Sequence, residues 1–406
     1  MRFLKQWSHV QLASVCTKIG SGATPRGGDS VYVDIGTALI RSQNVYNGKF
    51  SESGLAHITE THAEQLSGVA VESRDVLLNI TGDSVARCCQ VPDSLLPARV
   101  NQHVAIIRPD QSQLLPEFLC YYFVSPLMQK YLLSRAGSGG TRNALTKAMI
   151  ESLEAPCPDL DTQQHIVDLL KSYDDLIENN HRRIQLLEQS ARLLYKEWFV
   201  SLRFPGHEHV KITNGVPEGW ERKTLGGLCE EIRESVSPDL VEPDTPYIGL
   251  EHIPRRSIAL NEWGTADQVT SSKHRFREGE ILFGKIRPYF HKVGIAFVDG
   301  VASSDAIVIR PFRDELRVFV LMTVSSDGFV AVTAQTMKEG SKMPRADWKQ
   351  MQQYVVPLPP EGVLVVFNSI IDPILQQLKT LSFENRNLSK ARDILLPRLM
   401  SGEVVV

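Results

Sequence analysis

The stretch that decides the fold lies near the middle of the chain, at Thr162–Trp198, and reads TQQHIVDLLKSYDDLIENNHRRIQLLEQSARLLYKEW. Its apolar residues recur alternately four and three positions apart, which is the spacing that two helices need to supercoil with interlocked side chains. We therefore predict one long amphipathic helix here, with Asp161 and Thr162 as candidate N-cap residues. The positions of the seam are Ile166, Leu170, Tyr173, Ile177, Asn180, Ile184, Leu187, Ala191, Leu194 and Trp198.

A second seam with the same spacing begins 201 residues later. If the two helices pair in opposite directions with Asn180 facing Asn385, every other layer pairs two residues whose numbers sum to 565. The two seams can therefore be matched along their whole length. The positions of the second seam are Phe367, Ile371, Ile374, Leu378, Leu381, Asn385, Leu388, Arg392, Leu395 and Leu399.

The two asparagines decide the direction of the pairing. In a parallel pairing each amide would face an apolar residue, and a buried amide without a partner costs about 1–3 kcal/mol. We therefore predict an antiparallel coiled coil with the two amides paired. The same register sets Trp198 against Phe367. It also sets Arg392 against Tyr173, where a guanidinium on an aromatic ring is tolerated. One alternative stays open, in which the helices are unrelated and pack on separate cores.

The rest of the chain repeats as well, and the offset between the copies falls from 213 to 201 residues. The loops therefore differ in length, whereas the helices do not. The matching segments are residues 7–12 with 220–225, 38–44 with 247–252, 75–80 with 280–283, 104–109 with 306–311, 139–142 with 339–342, and 155–158 with 356–359.

Short β-branched segments between Gly, Asn, Asp and Pro turns predict mixed sheets in each half, with local helices over Pro116–Leu133 and Leu316–Val324. The predicted fold class is α+β: two similar mixed α/β domains joined by two long helices that form an antiparallel coiled coil, with a pseudo-twofold internal repeat. The predicted boundaries are residues 1–160 for the first domain, 161–203 for the central helix, 204–360 for the second domain, and 361–406 for the C-terminal helix and tail.

Composition limits the possible functions. The formal net charge of −3 is too low for binding nucleic acid by bulk electrostatics, so any contact with DNA must be local or assisted. The six cysteines show no metal-ligand spacing, which favours reduced thiols in the cytoplasm. No apolar run approaches the ~18 residues of a membrane span, and the first residues lack the apolar core of a signal peptide. We expect a cytoplasmic protein with no metal site and no membrane partner.

Several of these segments resemble a known family. Residues 216–225 (VPEGWERKTL) resemble the start of a target recognition domain. Pro156-Cys-Pro158, residues 163–170 (QQHIVDLL) and residues 174–178 (DDLIE) resemble the central region of type I restriction-modification specificity subunits. The second copy departs from this pattern, because residues 361–367 (EGVLVVF) replace the polar helix start. The resemblance extends over the whole chain.

The resemblance implies a DNA sequence-specificity subunit of a type I restriction-modification complex. Each target recognition domain would read one half of a bipartite, asymmetric site in double-stranded DNA, and the helices would set the spacing. The implied partners are two methyltransferase (modification) subunits and restriction/translocase subunits. No cofactor is expected in this chain; S-adenosylmethionine, ATP and Mg are expected on the partner subunits.

Polar side chains that follow strands or lie in glycine loops are the candidates for DNA contacts, since Arg and Lys favour guanine while Asn and Gln favour adenine. In the first domain these are Arg41, Gln43, Asn44, Asn79, Thr81, Thr141, Arg142 and Asn143. In the second domain they are Lys285, Arg287, Tyr289, His291, Lys342 and Arg345.

Catalytic motifs are absent from the sequence, which contains no Asn-Pro-Pro-aromatic segment for adenine methylation and no P-loop. The triplets Glu221-Arg-Lys223 and Asp347-Trp-Lys349 have the form of nuclease cores but lack the upstream acid. We therefore expect a non-catalytic chain. The alternatives are an interaction scaffold without base readout and, less favoured, a self-sufficient DNA enzyme.

Overall fold

The computed structural model describes residues 7–137, 143–335 and 344–404. Within these ranges two helices are long and the others are short. The helices are α1 (Leu12–Val15), α2 (Glu60–Gln65), α3 (Pro116–Val124), α4 (Pro126–Gly137), α5 (Lys147–Glu151), α6 (Leu160–Tyr195), α7 (Arg317–Val324), α8 (Asp327–Gln335), α9 (Trp348–Met351) and α10 (Glu361–Met400).

The chain divides into two compact units. The first unit contains Met1–Asp175 and Ser389–Val406, and the second contains Leu176–Leu388. Each unit combines a globular part that contains β-sheets with a portion of both long helices. The predicted fold class, two mixed helix-and-sheet domains joined by long helices, is confirmed.

The strands of the first unit form two main sheets. Among the described residues, one sheet has the order β10-β9-β12-β2 and the other β3-β7-β4-β11-β8, while β1 pairs with β13 and β5 with β6. The strands are β1 (His9–Gln11), β2 (Cys16–Ser21), β3 (Tyr32–Val33), β4 (Thr37–Ile40), β5 (Val45–Tyr46), β6 (Lys49–Phe50), β7 (Ala56–Ile58), β8 (Ala70–Val71), β9 (Val76–Asn79), β10 (Cys88–Gln90), β11 (Ala98–Val100), β12 (Val104–Pro109) and β13 (Glu154–Pro156).

The second unit has the same kind of organisation. Within its described residues the sheets have the orders β17-β26-β23-β24-β20 and β18-β22-β25-β19-β21, while β14 pairs with β15 and β16 with β27. The strands are β14 (Ile212–Thr213), β15 (Val216–Pro217), β16 (Glu221–Thr224), β17 (Cys229–Ile232), β18 (Ser235–Val236), β19 (Pro246–Ile248), β20 (Ala259–Leu260), β21 (Gly264–Thr265), β22 (Lys273–Phe276), β23 (Ile281–Gly284), β24 (Val293–Ala296), β25 (Gly300–Ala302), β26 (Ala306–Pro311) and β27 (Val355–Leu358).

The sheet topology confirms the internal repeat. The central strands β10-β9-β12-β2 correspond to β24-β23-β26-β17, with β20 added at the edge in the second unit. One pair of strands is parallel at the corresponding place in both units, β4 with β11 and β19 with β25. The two units therefore share the order of their strands and the direction of the matching pairs, as the internal repeat in the sequence predicts.

A buried ion pair recurs at the start of the central strand of each unit. Asp75 is fully buried before β9 and lies 2.7 Å from the guanidinium of Arg108. Glu280 is buried before β23 and pairs with Arg310 in the same way. Removing either arginine would leave its buried acid without a charged partner, which is destabilising.

The central helix α6 begins two residues before the predicted start, at Leu160. The predicted N-caps Asp161 and Thr162 are wrong, because both residues lie inside the helix and the backbone N–H of Thr162 donates to Asp159 Oδ1 at 2.8 Å. The last turn, Lys196–Val200, widens into a π-helix. Asp159 thus satisfies one of the backbone donors that the first turn leaves free.

Within the second unit the two long helices pack in opposite directions, as predicted. The rings of Trp198 and Phe367 lie 5.6 Å apart between centroids. At the other end of this packed region Asn180 Nδ2 donates to Glu384 Oε2 at 3.3 Å. Along this region, residue numbers increase on α6 while those of the contacting residues on α10 decrease, so the helices run antiparallel.

The predicted bond between the two asparagines is wrong. Asn385 Nδ2 donates to the carbonyl oxygen of Ile177 at 3.4 Å, and its Oδ1 is buried without a hydrogen-bond partner. Both amides are buried, as predicted. Each amide finds a partner close to its predicted layer, because a nearby carboxylate and a backbone carbonyl are within reach of the donors.

The mixed layer in the first unit also differs from the prediction. The guanidinium of Arg392 donates to Asp174 Oδ1 at 2.7 Å rather than lying on the ring of Tyr173. Tyr121 from α3 donates to the other oxygen of Asp174, also at 2.7 Å. A charge-assisted bond is stronger than a stacking contact, so the arginine turns to the neighbouring carboxylate.

The predicted helix over Pro116–Leu133 is two helices, α3 and α4, separated by Ser125. Ser125 is extended, with φ −63° and ψ 143°, and it precedes Pro126. A residue before proline is pushed out of the helical region, which explains the break.

Within the described ranges no single helix has the length and apolar character needed to cross a membrane, although the bent pair Asp314–Val324 and Asp327–Gln335 meets the test jointly.

Phe367 tests the helix packing. Its side chain is fully buried against Trp198 and Phe199, and truncating a core phenylalanine costs about 3–5 kcal/mol. We expect Phe367→Ala to lower the free energy of unfolding by about this amount in guanidinium denaturation followed by tryptophan fluorescence. The control is Val366→Ala, at the exposed neighbouring position, which should change it by less than ~0.5 kcal/mol. Equal midpoints for the two variants would contradict the packing described.

Candidate nucleic-acid interface

The central strand of each unit ends in a loop that is held in the same way. We call residues 80–86, after β9, the first loop and residues 285–291, after β23, the second loop. The backbone N–H of Ile80 donates to His103 at 3.0 Å, and that of Lys285 donates to Asp305 at 2.7 Å. In turn the carbonyl oxygen of Ile80 accepts from Leu145 at 2.8 Å. Lys285 and Ala346 form the matching bond at 2.8 Å.

The two loops also share an unusual backbone conformation. Gly82 has φ +77° and its N–H donates to Asn143 at 3.1 Å. Arg287 stands at the corresponding position with φ +49°, and its N–H donates to Pro344 at 2.9 Å. A left-handed conformation costs a non-glycine residue roughly 1–2 kcal/mol. The first loop has glycine at this position, which adopts the conformation freely, whereas the second loop has Arg287 and a strained backbone. Such strain is typical of functional positions.

Two predicted contact residues of the first unit are buried. Asn44 and Asn79 have no exposed surface. Asn44 Nδ2 donates to Ser51 at 2.8 Å, and Asn79 Nδ2 donates to Ser42, also at 2.8 Å. A side chain without exposed surface cannot reach a base edge in this conformation. We therefore reassign both amides to holding the turns that surround the first loop.

Arg41 and Gln43 lie between these buried amides, on the 3-10 turn after β4. Both donate to the carbonyl oxygen of Gly54, Arg41 at 2.6 Å and Gln43 at 3.0 Å. The Arg41 guanidinium also lies 5.3 Å from the ring centroid of Tyr32. Gln43 is exposed and Arg41 is partly exposed, so each can present polar atoms to a ligand while the turn fixes its position.

Thr81 lies in a small polar cluster that sequence reasoning missed in part. Thr81 Oγ1 lies 2.6 Å from His103 Nδ1, and Gln102 Nε2 lies 3.1 Å from His103 Nε2. Gln102 and Asn143 are exposed. The signal for the missed pair is a polar trio, Asn101–His103, between two apolar strands. The predicted residues Thr141 and Arg142 lie outside the described residues.

Two cations of the second unit are paired within the protein. Lys285 Nζ donates to Ser304 at 3.0 Å and lies 3.8 Å from Glu231. Arg345 lies 3.3 Å from Asp305 and its side chain is 59% exposed. Lys285 is only 21% exposed. Arg345 is therefore better placed than Lys285 to meet a phosphate. The predicted residue Lys342 lies outside the described residues.

His291 closes the second loop from the inside and is not available to a ligand. It is 4% exposed, and its Nε2 lies 2.7 Å from the carbonyl oxygen of Ser325, to which it donates. Burial lowers the pKa of His291, which favours the neutral imidazole with its proton on Nε2. We therefore reassign this predicted contact residue to supporting the loop.

The exposed face of the second loop is cationic and aromatic. Tyr289 is 52% exposed, and Arg287 is exposed as well. The Arg255 guanidinium lies 3.9 Å from the ring centroid of Phe290, and that of Arg287 lies 5.7 Å from the same centroid. Sequence reasoning missed Arg255, whose signal is the consecutive pair Arg255-Arg256 after Pro254. Two guanidinium groups held beside one ring form a surface suited to phosphate or guanine.

No group of three or more His, Cys, Asp or Glu side chains in the described ranges is arranged to hold a metal ion. The geometry thus offers hydrogen bonds and charges at two matching loops. Residues 5–189 match the family model described as type I restriction modification DNA specificity domain. The first half of the chain therefore contains a type I restriction modification DNA specificity domain.

Full-length similarities agree with this identification. The MjaIX specificity subunit of Methanocaldococcus jannaschii is 25% identical over 99% of this chain and 94% of its own length. The HindI specificity subunit of Haemophilus influenzae is 20% identical over 90% of this chain and 94% of its own. The crystal structure of the type I system S subunit from M. genitalium has the same fold, with a TM-score of 0.61, 14% identity, and coverage of 98% and 97% of the two chains. The resemblance to type I specificity subunits that the sequence shows is confirmed by these similarities.

The left-handed positions can be tested through stability. A Cβ at Gly82 would meet no atom within 4 Å, so a substitution there acts through the backbone alone. We expect Gly82→Ala to lower the free energy of unfolding by about 1 kcal/mol. We expect Arg287→Gly to be more stable than Arg287→Ala by about the same amount, since glycine adopts this conformation freely. Chemical denaturation measures both differences, and equal stability of the two Arg287 variants would contradict a left-handed backbone there.

Proposed function

We propose that each globular domain of this specificity subunit reads one half of a bipartite, asymmetric site in double-stranded DNA. The first reader is the target recognition domain of residues 1–160, and the second is that of residues 204–360. The observation that carries the proposal is the pair of matching loops. The same backbone hydrogen bonds hold both loops, which suits two sites that do the same task.

The side chains of the two loops support an asymmetric target. The first loop presents Thr81 and the exposed carboxylate of Asp83, with neighbouring Gln102. The second presents Arg287 and Tyr289, with neighbouring Arg255. Arginine favours guanine edges and phosphates, whereas glutamine favours adenine edges. Two domains with similar loop backbones but different exposed side chains would prefer different DNA sequences.

The proposed partners account for what this chain lacks. We infer that two methyltransferase subunits supply S-adenosylmethionine-dependent adenine methylation in the cytoplasm, and that restriction/translocase subunits supply ATP- and Mg-dependent steps. This chain would then be non-catalytic. Its net charge of −3 agrees with DNA binding that depends on the assembled complex.

The central helix offers a surface for such a partner. Leu186, Leu193 and Val200 are spaced seven residues apart and are 57%, 54% and 62% exposed. Residues at this spacing share one face of a helix, and exposed apolar stripes mark interaction surfaces. A groove of about 850 Å³ continues this face past Val355 and Pro357. We propose that a methyltransferase subunit covers it.

The two-reader proposal predicts a loss confined to one half-site. The target is first read from the methylated adenines of the source genome, and duplexes are made with either half scrambled. We expect Arg287→Ala, and more weakly Lys285→Ala, to cut the affinity of the assembled complex for the second half about tenfold or more, since one good base contact is worth ~1–3 kcal/mol. Discrimination of the first half should be unchanged.

Lys223→Ala, at an exposed lysine on β16 that belongs to neither loop, is the matched control and should bind like the wild type. Equal loss at both halves from Arg287→Ala would contradict separate readers. Footprinting of the wild-type complex tests the alternative function, because an interaction scaffold gives no sequence-dependent protection. The purified chain with S-adenosylmethionine and Mg should show no turnover.

The helices are further proposed to set the spacing between the half-sites. Inserting one heptad after Asp175 and another after Leu388 keeps the antiparallel register and adds about 10 Å of helix at 1.5 Å per residue. We expect the unspecified gap in the target to lengthen by about three base pairs, at ~3.4 Å each. The gap is measured from the methylated sites that the altered complex produces. The control is a heptad inserted in the central helix alone, which breaks the register of the two helices. If the gap in the target stays the same after the paired insertions, the helices do not set the spacing.

A further inference from the structure

A buried carboxylate ties the central helix to the second domain. Glu188 is 4% exposed, and one of its oxygens, Oε1, accepts three hydrogen bonds. The donors are Ser257 Oγ at 2.6 Å, the backbone N–H of Ile258 at 2.8 Å and that of Ala259 at 2.9 Å. Arg192, one turn further along the helix, donates to the carbonyl oxygen of Arg256 at 2.7 Å. The helix thus holds residues 255–260, which we call the anchor segment.

The anchor segment is continuous with the sheet that carries the second loop. Its last part is strand β20, which runs parallel to β24 with Ala259 opposite Ile295. Ile295 donates to the carbonyl oxygen of Ile258 at 2.8 Å. Strand β24 begins two residues after the second loop ends. A displacement of the anchor segment would therefore act on the end of that loop.

The anchor segment also contacts the second loop directly. The backbone N–H of Arg256 donates to the carbonyl oxygen of His291 at 2.9 Å. The guanidinium of Arg255 lies 3.9 Å from the ring centroid of Phe290. The side chain of Arg256 pairs with Asp327 at 2.8 Å. The segment therefore supports the loop through its backbone and through a stacked side chain.

Three residues at this junction have strained backbones. Arg256, Arg287 and His291 have φ of +56°, +49° and +55°. Such conformations persist only where the surroundings fix them. The bonds to Glu188 and Arg192 are the part of those surroundings that the central helix supplies.

We propose that Glu188 is a positioning residue for base reading: it fixes the anchor segment on the central helix and thereby orients the second loop toward the second half-site. This inference rests on the proposed two-reader function. The 201-residue offset places Ser389 at the corresponding position of the C-terminal helix, so the carboxylate belongs to one half of the repeat only. The effect is therefore specific to the second half-site.

Two substitutions separate this role from general stability. Because all three bonds go to one oxygen, the amide oxygen of Glu188→Gln can accept them, and burial, which raises the pKa of Glu188, favours an uncharged group there. Glu188→Ala removes the acceptor and leaves the backbone N–H groups of Ile258 and Ala259 unpaired. Glu178→Ala, at an exposed glutamate of the same helix, is the matched control.

The experiment measures binding of the assembled complex to three duplexes: the mapped target, and versions with the first or the second half scrambled. We expect Glu188→Ala to weaken binding to the intact duplex about tenfold, the effect of leaving buried donors unpaired. It should leave discrimination of the first half unchanged. Glu188→Gln should stay within about threefold of the wild type, as a loss of about 0.6 kcal/mol corresponds to that factor.

A second measurement does not depend on DNA. In the free chain, amide hydrogen exchange of residues 285–291 should be faster in Glu188→Ala than in the wild type, Glu188→Gln or Glu178→Ala. If Glu188→Ala does not fold, Arg192→Met tests the same coupling, since it removes the bond to the anchor segment and leaves Glu188 in place. Unchanged exchange in the loop, or equal loss at both half-sites, would overturn the inference. A wild-type complex that ignores both half-sites would instead overturn the two-reader function, while the exchange result would still decide the coupling.

Discussion

The packing of two apolar seams in opposite directions is the contact on which the rest of the structure depends. Each compact unit contains a globular part and a portion of both long helices. In the second unit this packing centres on aromatic side chains, with Phe367 buried against Trp198 and Phe199. The buried amides contribute less to stability, since Asn385 Oδ1 has no partner. A polar layer of this kind favours one alignment of the helices at some cost in free energy.

The two halves keep the same scaffold and differ at the surface. Each central strand begins at a buried acid paired with an arginine, Asp75 with Arg108 and Glu280 with Arg310. Each strand ends in a loop held by the same backbone hydrogen bonds. Backbone bonds do not depend on side-chain identity, so the exposed residues of the loops can vary without loss of the fold. A repeated scaffold with unlike surfaces is what a reader of two different half-sites requires.

The candidate site was partly predictable from the sequence. Polar residues directly after a strand could be picked out as candidates, because a strand end is where the chain leaves the core. Their direction was not predictable, since alternate positions of such a segment point inward and outward. Asn44, Asn79 and His291 point inward and hold the loops together, whereas Gln43 and Arg287 are exposed. Arg255 was missed because it is distant in sequence from the loop that it contacts.

The sequence by itself determined the long helices, the direction of their pairing, the internal repeat and the family. These features depend on the spacing of apolar residues and on the order of short matching segments, and both can be read from the amino-acid sequence. Only the tertiary structure decided which polar groups bond to which. The asparagines bond to Glu384 and to the backbone of Ile177, Arg392 bonds to Asp174, and Glu188 receives three donors from the second domain. Hydrogen bonds depend on distances of a few tenths of an ångström between residues far apart in the chain, and no spacing rule contains that information.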